Sequence, residues 1–513
     1  MRKILIYALT ILITFNAALI AEDKLTEDKS AQDKSTEDKP ADNNFSEGNL
    51  SDPNAAQNSG DFNFSFFEPP APPALPAPFE KVSIWSKDEI KSTESGKFLH
   101  FSLYKAEGNE KGATLLVVGG VHGDEPGGYF APALLASRYK IKKGALWVAP
   151  NLNHESLIMS RRGVYGDMNR KFNTIKKDDP DAPIVAKIKE IILQPQVDLV
   201  LNLHDGHGFY RERWENTIFN PKSWGQTIVI DQKTLSDVRF GDMDRIASRV
   251  IESLDGHLTS EYHIFRVKNT ETRYKDEEMR QSLTYFAVTN LKPAFGQETS
   301  KNIDALALQI EYHLRSIEEF MRIMDIEFER DFELNFEEIS AALLQMGSVK
   351  INEKSVYNLV NLRNILRYVP LKGNNEDRFV FDHPLGAVKK AIDNKGERYD
   401  LMIGNKRVSS FYPQFFGDNC NLEGANITLD GNSRFYKMGD FAEVKDKFKI
   451  EKTKNIRVNV IGFSKVALED ESDVEIKKSD LSSRFSADVR EQIYRVEFYK
   501  GADFCGTIAI KFP

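Results

Sequence analysis

The residues best placed for chemistry are a histidine and a glutamate in a glycine-rich turn. The turn GGVHGDEP, at residues 119–126, follows directly after an apolar run at 113–118. Its glycines let the backbone bend without steric cost. Imidazole nitrogen and carboxylate oxygen are both zinc ligands, and a catalytic zinc site takes three protein ligands with one further position open to water. His122 and Glu125 are therefore predicted to be two ligands of a zinc site.

A second histidine ends another apolar run and is the natural third ligand. In VDLVLNLHDG, at residues 197–206, His204 stands where the apolar part stops. Ligand sites in open α/β sheets form at the carboxyl ends of strands, so both segments point to one crevice. Each feature alone has a simpler interpretation, namely a solvated loop for the turn and a core residue for the histidine. Their coincidence favours a zinc site made by His122, Glu125 and His204.

Three arginines and an asparagine lie between the histidine segments, in SRRGVYGDMNRKF at residues 160–172. A zinc crevice that hydrolyses an amide beside a free carboxylate needs a cation for that carboxylate, and arginine binds both oxygens with a planar fork. A second positive group must meet the charge that develops on the scissile oxygen. Arg162 and Arg170 fit these roles, with Asn169 assisting at the carboxylate. A basic surface turn is the alternative.

A single acidic residue follows a short apolar segment further along, in PAFGQETSK at residues 293–301. A zinc hydrolase needs a general base that takes a proton from the attacking water. Glu298 is the candidate for this role. The alternative is an ordinary acid near a helix N-terminus, because Thr299 or Ser300 can cap a helix that begins near Asp304.

The elements that must position these residues alternate between strand and helix from about residue 79 to 324. Hydrophobic periodicity predicts strands at 114–119, 145–151, 197–204, 283–289 and 294–297. It predicts helices at 129–139, 182–193, 242–254 and 304–324. Such alternation indicates an α/β fold, with a mostly parallel mixed sheet and helices on both faces.

The chain is too long for one ordinary core, because its 513 residues with 41% hydrophobic content predict two or three domains. We assign residues 79–325 to the catalytic domain. Beyond it, short strands separated by Gly, Asn and Asp turns predict a small β-rich domain at 326–415. Alternating segments predict a β-sandwich at 416–513, compatible with an Ig-like fold.

The first residues have the pattern of a secretory signal peptide. Arg2 and Lys3 precede an apolar stretch at 4–19, and small residues up to Ala21 offer a cleavage site, so we expect a signal at 1–21 and a periplasmic protein. The alternative is an uncleaved anchor, because the apolar stretch approaches one bilayer span. Residues 22–78 form an acidic low-complexity tract and a proline-rich spacer, which predicts disorder and then an extended segment.

Charge and cysteine content restrict the function further. The net charge is −8 and the pI about 5.8, and no basic cluster is interleaved with aromatic residues, which argues against a nucleic-acid partner. Only two cysteines occur, Cys420 and Cys505. In an exported protein they can form a disulfide, and two buried free thiols are the alternative.

The order of these motifs resembles that of the zinc carboxypeptidase clan, which includes carboxypeptidase A and the aspartoacylase branch. The resemblance rests on HGDE at 122–125, Arg162 upstream of GDMNR at 166–170, NLHD at 202–205 and ET at 298–299. More narrowly, the chain is similar to the peptidoglycan D,L-carboxypeptidases that set cell shape in helical bacteria. That similarity covers nearly everything after the proline-rich spacer.

The resemblance implies a role for each residue named above. Zinc would be held by the two histidines and the first glutamate. Glu298 would act as base and then as acid to the leaving amine, and Arg162 would stabilise the oxyanion. Asn169 and Arg170 would hold the terminal carboxylate, and Trp224 is a candidate wall of the substrate pocket.

The implied reaction removes meso-diaminopimelate from a muropeptide tripeptide and leaves a dipeptide, which trims the cell wall and influences cell shape. One alternative is a zinc deacylase of N-acyl amino acids, which would use the same residues. Another is a non-catalytic muropeptide-binding scaffold, against which the intact Glu298 argues. The sequence leaves three roles open for the C-terminal modules, which are positioning the active site on the cell-wall sacculus, covering the cleft, and binding a cell-wall protein partner.

Overall fold

The computed structural model describes residues 79–85, 100–351, 355–372, 379–416, 420–465 and 468–513. The predicted signal peptide, acidic tract and proline-rich spacer lie outside these residues. All the described residues belong to one compact unit. None of the helices among them has the length and apolar character that a membrane span requires.

The centre of the structure is a nine-stranded mixed sheet. In spatial order its strands are β1 (Glu80–Val82), β2 (Leu103–Glu107), β4 (Tyr139–Ala149), β3 (Glu110–Val118), β5 (Leu199–Gly206), β10 (Ala294–Ser300), β8 (Thr227–Ile230) and β9 (Arg266–Asn269), with β11 (Glu327–Arg330) paired to β4. β4, β3, β5 and β10 run parallel, and the pairs that flank them, β2 with β4 and β8 with β10, are antiparallel. A small separate ribbon pairs β6 (Phe209–Tyr210) with β7 (Phe219–Asn220).

Helices cover this sheet because its central strands are apolar on both faces. β5 is buried along its whole length, as parallel strands between two helical layers are. The helices are α1 (Pro126–Arg138), α2 (His154–Ile158), α3 (Ala182–Ile192), α4 (Met243–Asp255), α5 (Thr272–Lys275), α6 (Leu283–Thr289), α7 (Leu306–Ile323) and α8 (Phe336–Leu343). This architecture confirms the predicted α/β fold.

The strand order reverses at β3, and this reversal creates the site. The chain leaves β3 for β4 on one side and then returns to β5 on the other. Since both crossovers are right-handed by rule, α1 and α3 lie on opposite faces of the sheet. A crevice therefore opens between the carboxyl ends of β3 and β5, where ligands bind in sheets of this type.

One predicted strand is a helix in the structure. Residues 283–289 form α6, and the Ser282 side chain caps it by accepting a hydrogen bond from Tyr285 N at 3.1 Å. A short apolar run such as LTYFAVT has no periodicity that separates a buried strand from a buried helix. The capping serine was the local signal for a helix.

The capping alternative considered for Thr299 and Ser300 is wrong. β10 continues to Ser300, and α7 begins only at Leu306, without a side-chain cap. The Thr299 hydroxyl donates to Asp205 Oδ1 at 2.6 Å, and the Ser300 hydroxyl donates to Gly208 O at 2.7 Å. Both hydroxyls thus tie β10 to β5 and the loop after it.

A β-rich module follows the main sheet and packs against α1. Its two sheets comprise β12 (Ser348–Ile351), β13 (Ser355–Asn358) and β15 (Phe379–Phe381), and β14 (Ile365–Lys372), β16 (Gly386–Asp393), β17 (Gly396–Ile403) and β18 (Lys406–Phe416). A methyl group added at Gly404 would lie 3.0 Å from the Tyr129 ring and 3.2 Å from the Phe130 ring. The turn between β17 and β18 therefore supports the first turns of α1.

The C-terminal part is a sandwich of two four-stranded sheets. Its strands are β19 (Gly424–Leu429), β20 (Asn432–Lys437), β21 (Phe441–Glu443), β22 (Lys447–Ile450), β23 (Arg457–Val460), β24 (Ile476–Lys477), β25 (Ile493–Lys500) and β26 (Asp503–Lys511). Both sheets share one apolar core, and Cys420 forms a disulfide with Cys505, with Cα atoms 5.5 Å apart. The predicted domain boundaries stay predictions. β11, which lies just beyond the predicted boundary at residue 325, pairs with β4 of the main sheet.

Replacing both cysteines by serine should destabilise the C-terminal sandwich. The disulfide closes a loop with a sequence separation of 85 residues, and loss of such a crosslink lowers the free energy of unfolding by about 2–5 kcal/mol. Differential scanning calorimetry should show a lower melting temperature for the double variant. An unchanged melting temperature, equal to that of the oxidised wild type, would contradict a stabilising crosslink.

Candidate active site

Three donor atoms converge at the carboxyl ends of β3 and β5. His122 Nδ1 lies 2.9 Å from Glu125 Oε1 and 3.1 Å from His204 Nδ1. His204 Nδ1 lies 2.8 Å from Glu125 Oε2. All three side chains are buried, and together they form a group able to hold a metal ion. The structure thus brings the three predicted ligands to one point.

The turn after β3 orients two of these ligands. Gly120 adopts a positive φ of 69°, a conformation that glycine takes without steric cost, and the chain then reverses towards the crevice. Glu125 directly precedes α1, whose first residue is Pro126. Proline suits that position because it has no backbone N–H to leave unpaired. His122 and Glu125 are therefore fixed by one turn between a buried strand and a buried helix.

Asp205 locks this turn to the neighbouring strand. Its buried carboxylate accepts hydrogen bonds from Gly127 N at 2.7 Å and from the Thr299 hydroxyl at 2.6 Å, and it lies 3.0 Å from His313 Nε2. Asp205 thus joins the N-terminus of α1 to β5, β10 and α7. His207, three residues after His204, is exposed.

The Nε2 atom of each histidine contacts a polar side chain. The Nδ1 atoms, which face each other, therefore remain available to bind an ion. His122 Nε2 lies 2.8 Å from Asp167 Oδ1, and His204 Nε2 lies 2.8 Å from Asn202 Nδ2. Asn202 Oδ1 is buried without a hydrogen-bond partner among the described residues. Because the amide can be turned over, Oδ1 can accept from an Nε2–H of His204, which leaves the lone pair on Nδ1 for a metal.

The electrostatics of the group favour a bound cation. Burial alone would raise the pKa of Glu125, but the imidazoles of His122 and His204 hold that pKa well below its usual range. Burial opposes protonation of His122, yet the carboxylates of Glu125 and Asp167 raise its pKa to about 9. The site therefore compensates buried negative charge with positive charge, and a metal cation can take over that compensation.

Glu298 lies beside the metal-binding group. In the parallel pairing of β10 with β5 it stands opposite His204. A methyl group added at Gly206 would lie 2.8 Å from Glu298 Oε2 and 2.5 Å from Trp224 Cβ, so only glycine leaves room for the glutamate. Burial, reinforced by the Glu125 carboxylate, raises the pKa of Glu298 well above its usual range. This carboxyl group can therefore hold a proton near the metal ligands.

Arg162 lies at the edge of the group, with a side chain that is 47% exposed. Its Nη1 atom lies 2.9 Å from Glu125 Oε1, and its Nη2 atom lies 3.0 Å from Asp167 Oδ2. The guanidinium therefore bridges a metal ligand and the carboxylate that orients another. Its exposed side faces outward and can receive a developing negative charge.

Asn169 and Arg170 lie on a short 3₁₀ helix, Met168–Arg170, outside the metal-binding group. Asn169 Oδ1 accepts a hydrogen bond from Leu283 N at 3.0 Å, which fixes this helix to α6. The Arg170 guanidinium donates to Asn169 O at 3.2 Å and makes only a loose ion pair with Glu278, at 3.9 Å. Arg170 thus keeps most of its donors available among the residues that the structure describes.

Three further residues of the site were not singled out from the sequence. Asp167 and Asn202 lie inside the motifs GDMNR and NLHD, but their histidine partners are known only once the strands are assembled. Lys268 lies in none of the sequence motifs. In the structure its Nζ atom lies 3.8 Å from the centre of the Trp224 ring. Trp224 itself lies on the same side of Gly206 as Glu298.

Two protein-family models match this chain, and together they identify its family. A model described as the catalytic part of a carboxypeptidase controlling helical cell shape matches residues 88–344. A model described as the C-terminal domain of metallo-carboxypeptidase matches residues 418–513. The chain belongs to this family of cell-shape carboxypeptidases. It is therefore a metallocarboxypeptidase, as the sequence predicted.

Solved structures of the family agree. The cell shape determinant protein Csd4 from Helicobacter pylori is 35% identical, with a TM-score of 0.74, over 81% of this chain and 100% of that chain. Another structure of Csd4, described as the mDAP-bound form of a D,L-carboxypeptidase, is 36% identical, with a TM-score of 0.73, over 80% of this chain and 100% of that chain. Csd4 has also been solved with a bound tripeptide.

A curated relative matches only a part of the carboxypeptidase. The N-alpha-acetyl-L-2,4-diaminobutyric acid deacetylase of Halomonas elongata is 35% identical over 104 residues. The match covers 19% of this chain and 29% of that relative, so the chain spans less than a third of its length.

Removing the carboxylate that orients His122 should weaken metal binding. Asp167→Ala is expected to raise the metal dissociation constant by about 10–100-fold, as loss of a hydrogen-bond partner to a metal ligand does. The constant can be measured by competition with a chromogenic chelator. The matched control is Asp198→Ala, because Asp198 accepts from Thr114 N at 2.8 Å but does not contact a ligand residue. Equal affinities in both variants would contradict the role given to Asp167.

Proposed function

We propose that the enzyme is a zinc-dependent D,L-carboxypeptidase that removes meso-diaminopimelate from a muropeptide tripeptide. It would hydrolyse the bond to D-glutamate and leave a dipeptide. The observation that carries this proposal is the convergence of His122, Glu125 and His204 with Glu298 beside them. The match to the whole solved chain of Csd4, which has been solved with a tripeptide and with mDAP, supports the substrate class.

The donor set fits zinc. Two imidazoles and one carboxylate leave a fourth position open, and this is the ligand pattern of catalytic zinc sites. A zinc ion bound to these residues supplies Lewis acidity, which activates water and polarises the scissile carbonyl. The proposed ligands are His122 through Nδ1, His204 through Nδ1, and Glu125.

Glu298 transfers the proton in this proposal. Burial and the Glu125 carboxylate raise the pKa of Glu298 well above its usual range, which favours proton uptake by this carboxylate. It first takes a proton from the attacking water. It then delivers that proton to the nitrogen of diaminopimelate as the peptide bond breaks.

Three polar groups orient the substrate. Arg162 stabilises the negative charge that develops on the scissile oxygen, since its guanidinium lies at the edge of the metal-binding group. Arg170 binds the terminal carboxylate with its planar fork. Asn169, whose oxygen is anchored by Leu283 N, offers its amide N–H to the same carboxylate. Trp224 forms a wall of the pocket.

We further propose that the enzyme is exported to the periplasm, where its polymeric substrate lies. The N-terminal basic residues and apolar stretch support a signal peptide. In this proposal the C-terminal modules contact cell-wall proteins. A deacylase of N-acyl amino acids is the second candidate, favoured by the partial match to the Halomonas elongata enzyme.

A substrate panel separates the two candidates. The purified, zinc-loaded enzyme should release free diaminopimelate from muropeptide tripeptides, as followed by mass spectrometry, and should leave tetrapeptides intact. N-acetylated amino acids should remain unchanged. Deacetylation without any cleavage of tripeptide would instead establish the second candidate.

Replacing the proposed base should abolish turnover and preserve binding. Glu298→Gln is expected to lower kcat by about 10²–10⁴-fold, because general acid–base catalysis contributes that much. Metal content and tripeptide affinity, measured by mass spectrometry and calorimetry, should stay near wild-type values. Glu497→Gln serves as the control, since Glu497 is also buried but lies in the C-terminal sandwich. Substantial turnover by Glu298→Gln would disprove the assignment of the base.

A further inference from the structure

We propose that Lys268 forms a second carboxylate-binding position of the active site. This inference rests on the proposed function, because a muropeptide tripeptide carries more carboxylates than the terminal one assigned to Arg170. D-Glutamate that is linked through its γ-carboxyl keeps a free α-carboxylate, on the same residue as the scissile carbonyl. Diaminopimelate carries a further carboxylate at the far end of its side chain.

The Lys268 ammonium group lies close to two aromatic rings. Lys268 lies on β9, and its Nζ atom is 3.8 Å from the centre of the Trp224 ring and 4.8 Å from that of the Tyr210 ring. It donates to Ser223 O at 2.8 Å and to Pro221 O at 3.2 Å. A lysine has three donors, so two are used and one remains for a ligand.

The charge of Lys268 is not paired within the described part of the chain. No carboxylate there lies within ion-pair distance of its Nζ atom, and both of its hydrogen-bond acceptors are backbone carbonyls. Burial lowers the pKa of Lys268 to about 8, and the charges of Glu298 and Asp276 oppose this shift. Lys301, by contrast, is paired with Asp124 at 2.7 Å.

Trp224 connects this cation to the reacting groups. Trp224 Cβ and Glu298 Oε2 both crowd the same face of Gly206, and the Trp224 ring lies against Lys268 Nζ. A substrate positioned for attack beside Glu298 can therefore place a carboxylate at Lys268. A desolvated ammonium binds such a group through a charge-assisted hydrogen bond.

The test compares Lys268→Met with a matched lysine variant on three substrates. The control is Lys292→Met, since Lys292 also donates to two backbone carbonyls, Gln194 O at 2.9 Å and Val197 O at 2.7 Å, before the start of β10. The substrates are the normal tripeptide, one with D-isoglutamine in place of D-glutamate, and one with L-lysine in place of diaminopimelate. The second lacks the D-glutamate carboxylate, and the third lacks the distal one.

Lys268→Met should raise KM for the normal tripeptide by about 10–100-fold with little change in kcat, which is the effect of losing one charged hydrogen bond. Lys292→Met should leave KM unchanged. The rise in KM caused by Lys268→Met should disappear for one of the two altered substrates. The carboxylate that this substrate lacks is then the one that Lys268 binds. Lys268→Arg, which keeps the charge, should retain part of the wild-type preference for the same carboxylate.

Two results would overturn the inference without affecting the proposed function. One is cleavage of the normal tripeptide by Lys268→Met with wild-type KM. The other is an equal rise in KM for all three substrates, which would mean that Lys268 only supports the fold. Failure of the wild type to cleave any tripeptide contradicts the proposed function first, and the role of Lys268 falls with it.

Discussion

Three buried donor atoms meet where the strand order reverses, and the rest of the active site depends on this meeting point. His122 and Glu125 come from a single turn after β3, whereas His204 comes from β5. The two segments can meet only because β3 and β5 are adjacent and parallel. Asp205 then fixes the N-terminus of α1 to β5, so the geometry of the ligands is set by strands, a helix and a buried carboxylate together.

Most of the charged side chains around the three donor atoms are paired with a group of opposite charge. Glu125 and Asp167 are balanced by Arg162, and Lys301 is balanced by Asp124. Two cations without a close carboxylate partner lie on different elements, Arg170 on the 3₁₀ helix and Lys268 on β9 beside Trp224. A ligand that carries more than one carboxylate matches this distribution, which agrees with a family of carboxypeptidases that control cell shape. The β-rich module contributes indirectly, through its packing against α1.

The sequence predicted the parts of the site that depend on local order. His122, Glu125, His204 and Glu298 each follow an apolar run, and the carboxyl ends of neighbouring parallel strands meet at one edge of a sheet. Contacts between distant segments were not predictable in the same way, since the partners of the two histidines and the position of Lys268 depend on how loops pack. The wrong strand at 283–289 had a local cause, because a short apolar run lacks a distinctive period.

The most direct test of this account is anomalous diffraction from crystals of the zinc-loaded enzyme, recorded on both sides of the zinc absorption edge. We predict one strong anomalous peak per chain, coordinated by His122 Nδ1, His204 Nδ1 and the Glu125 carboxylate, within reach of Glu298. A peak bound by other residues, or none between these three side chains in zinc-loaded crystals, would contradict the metal site on which the proposed mechanism rests.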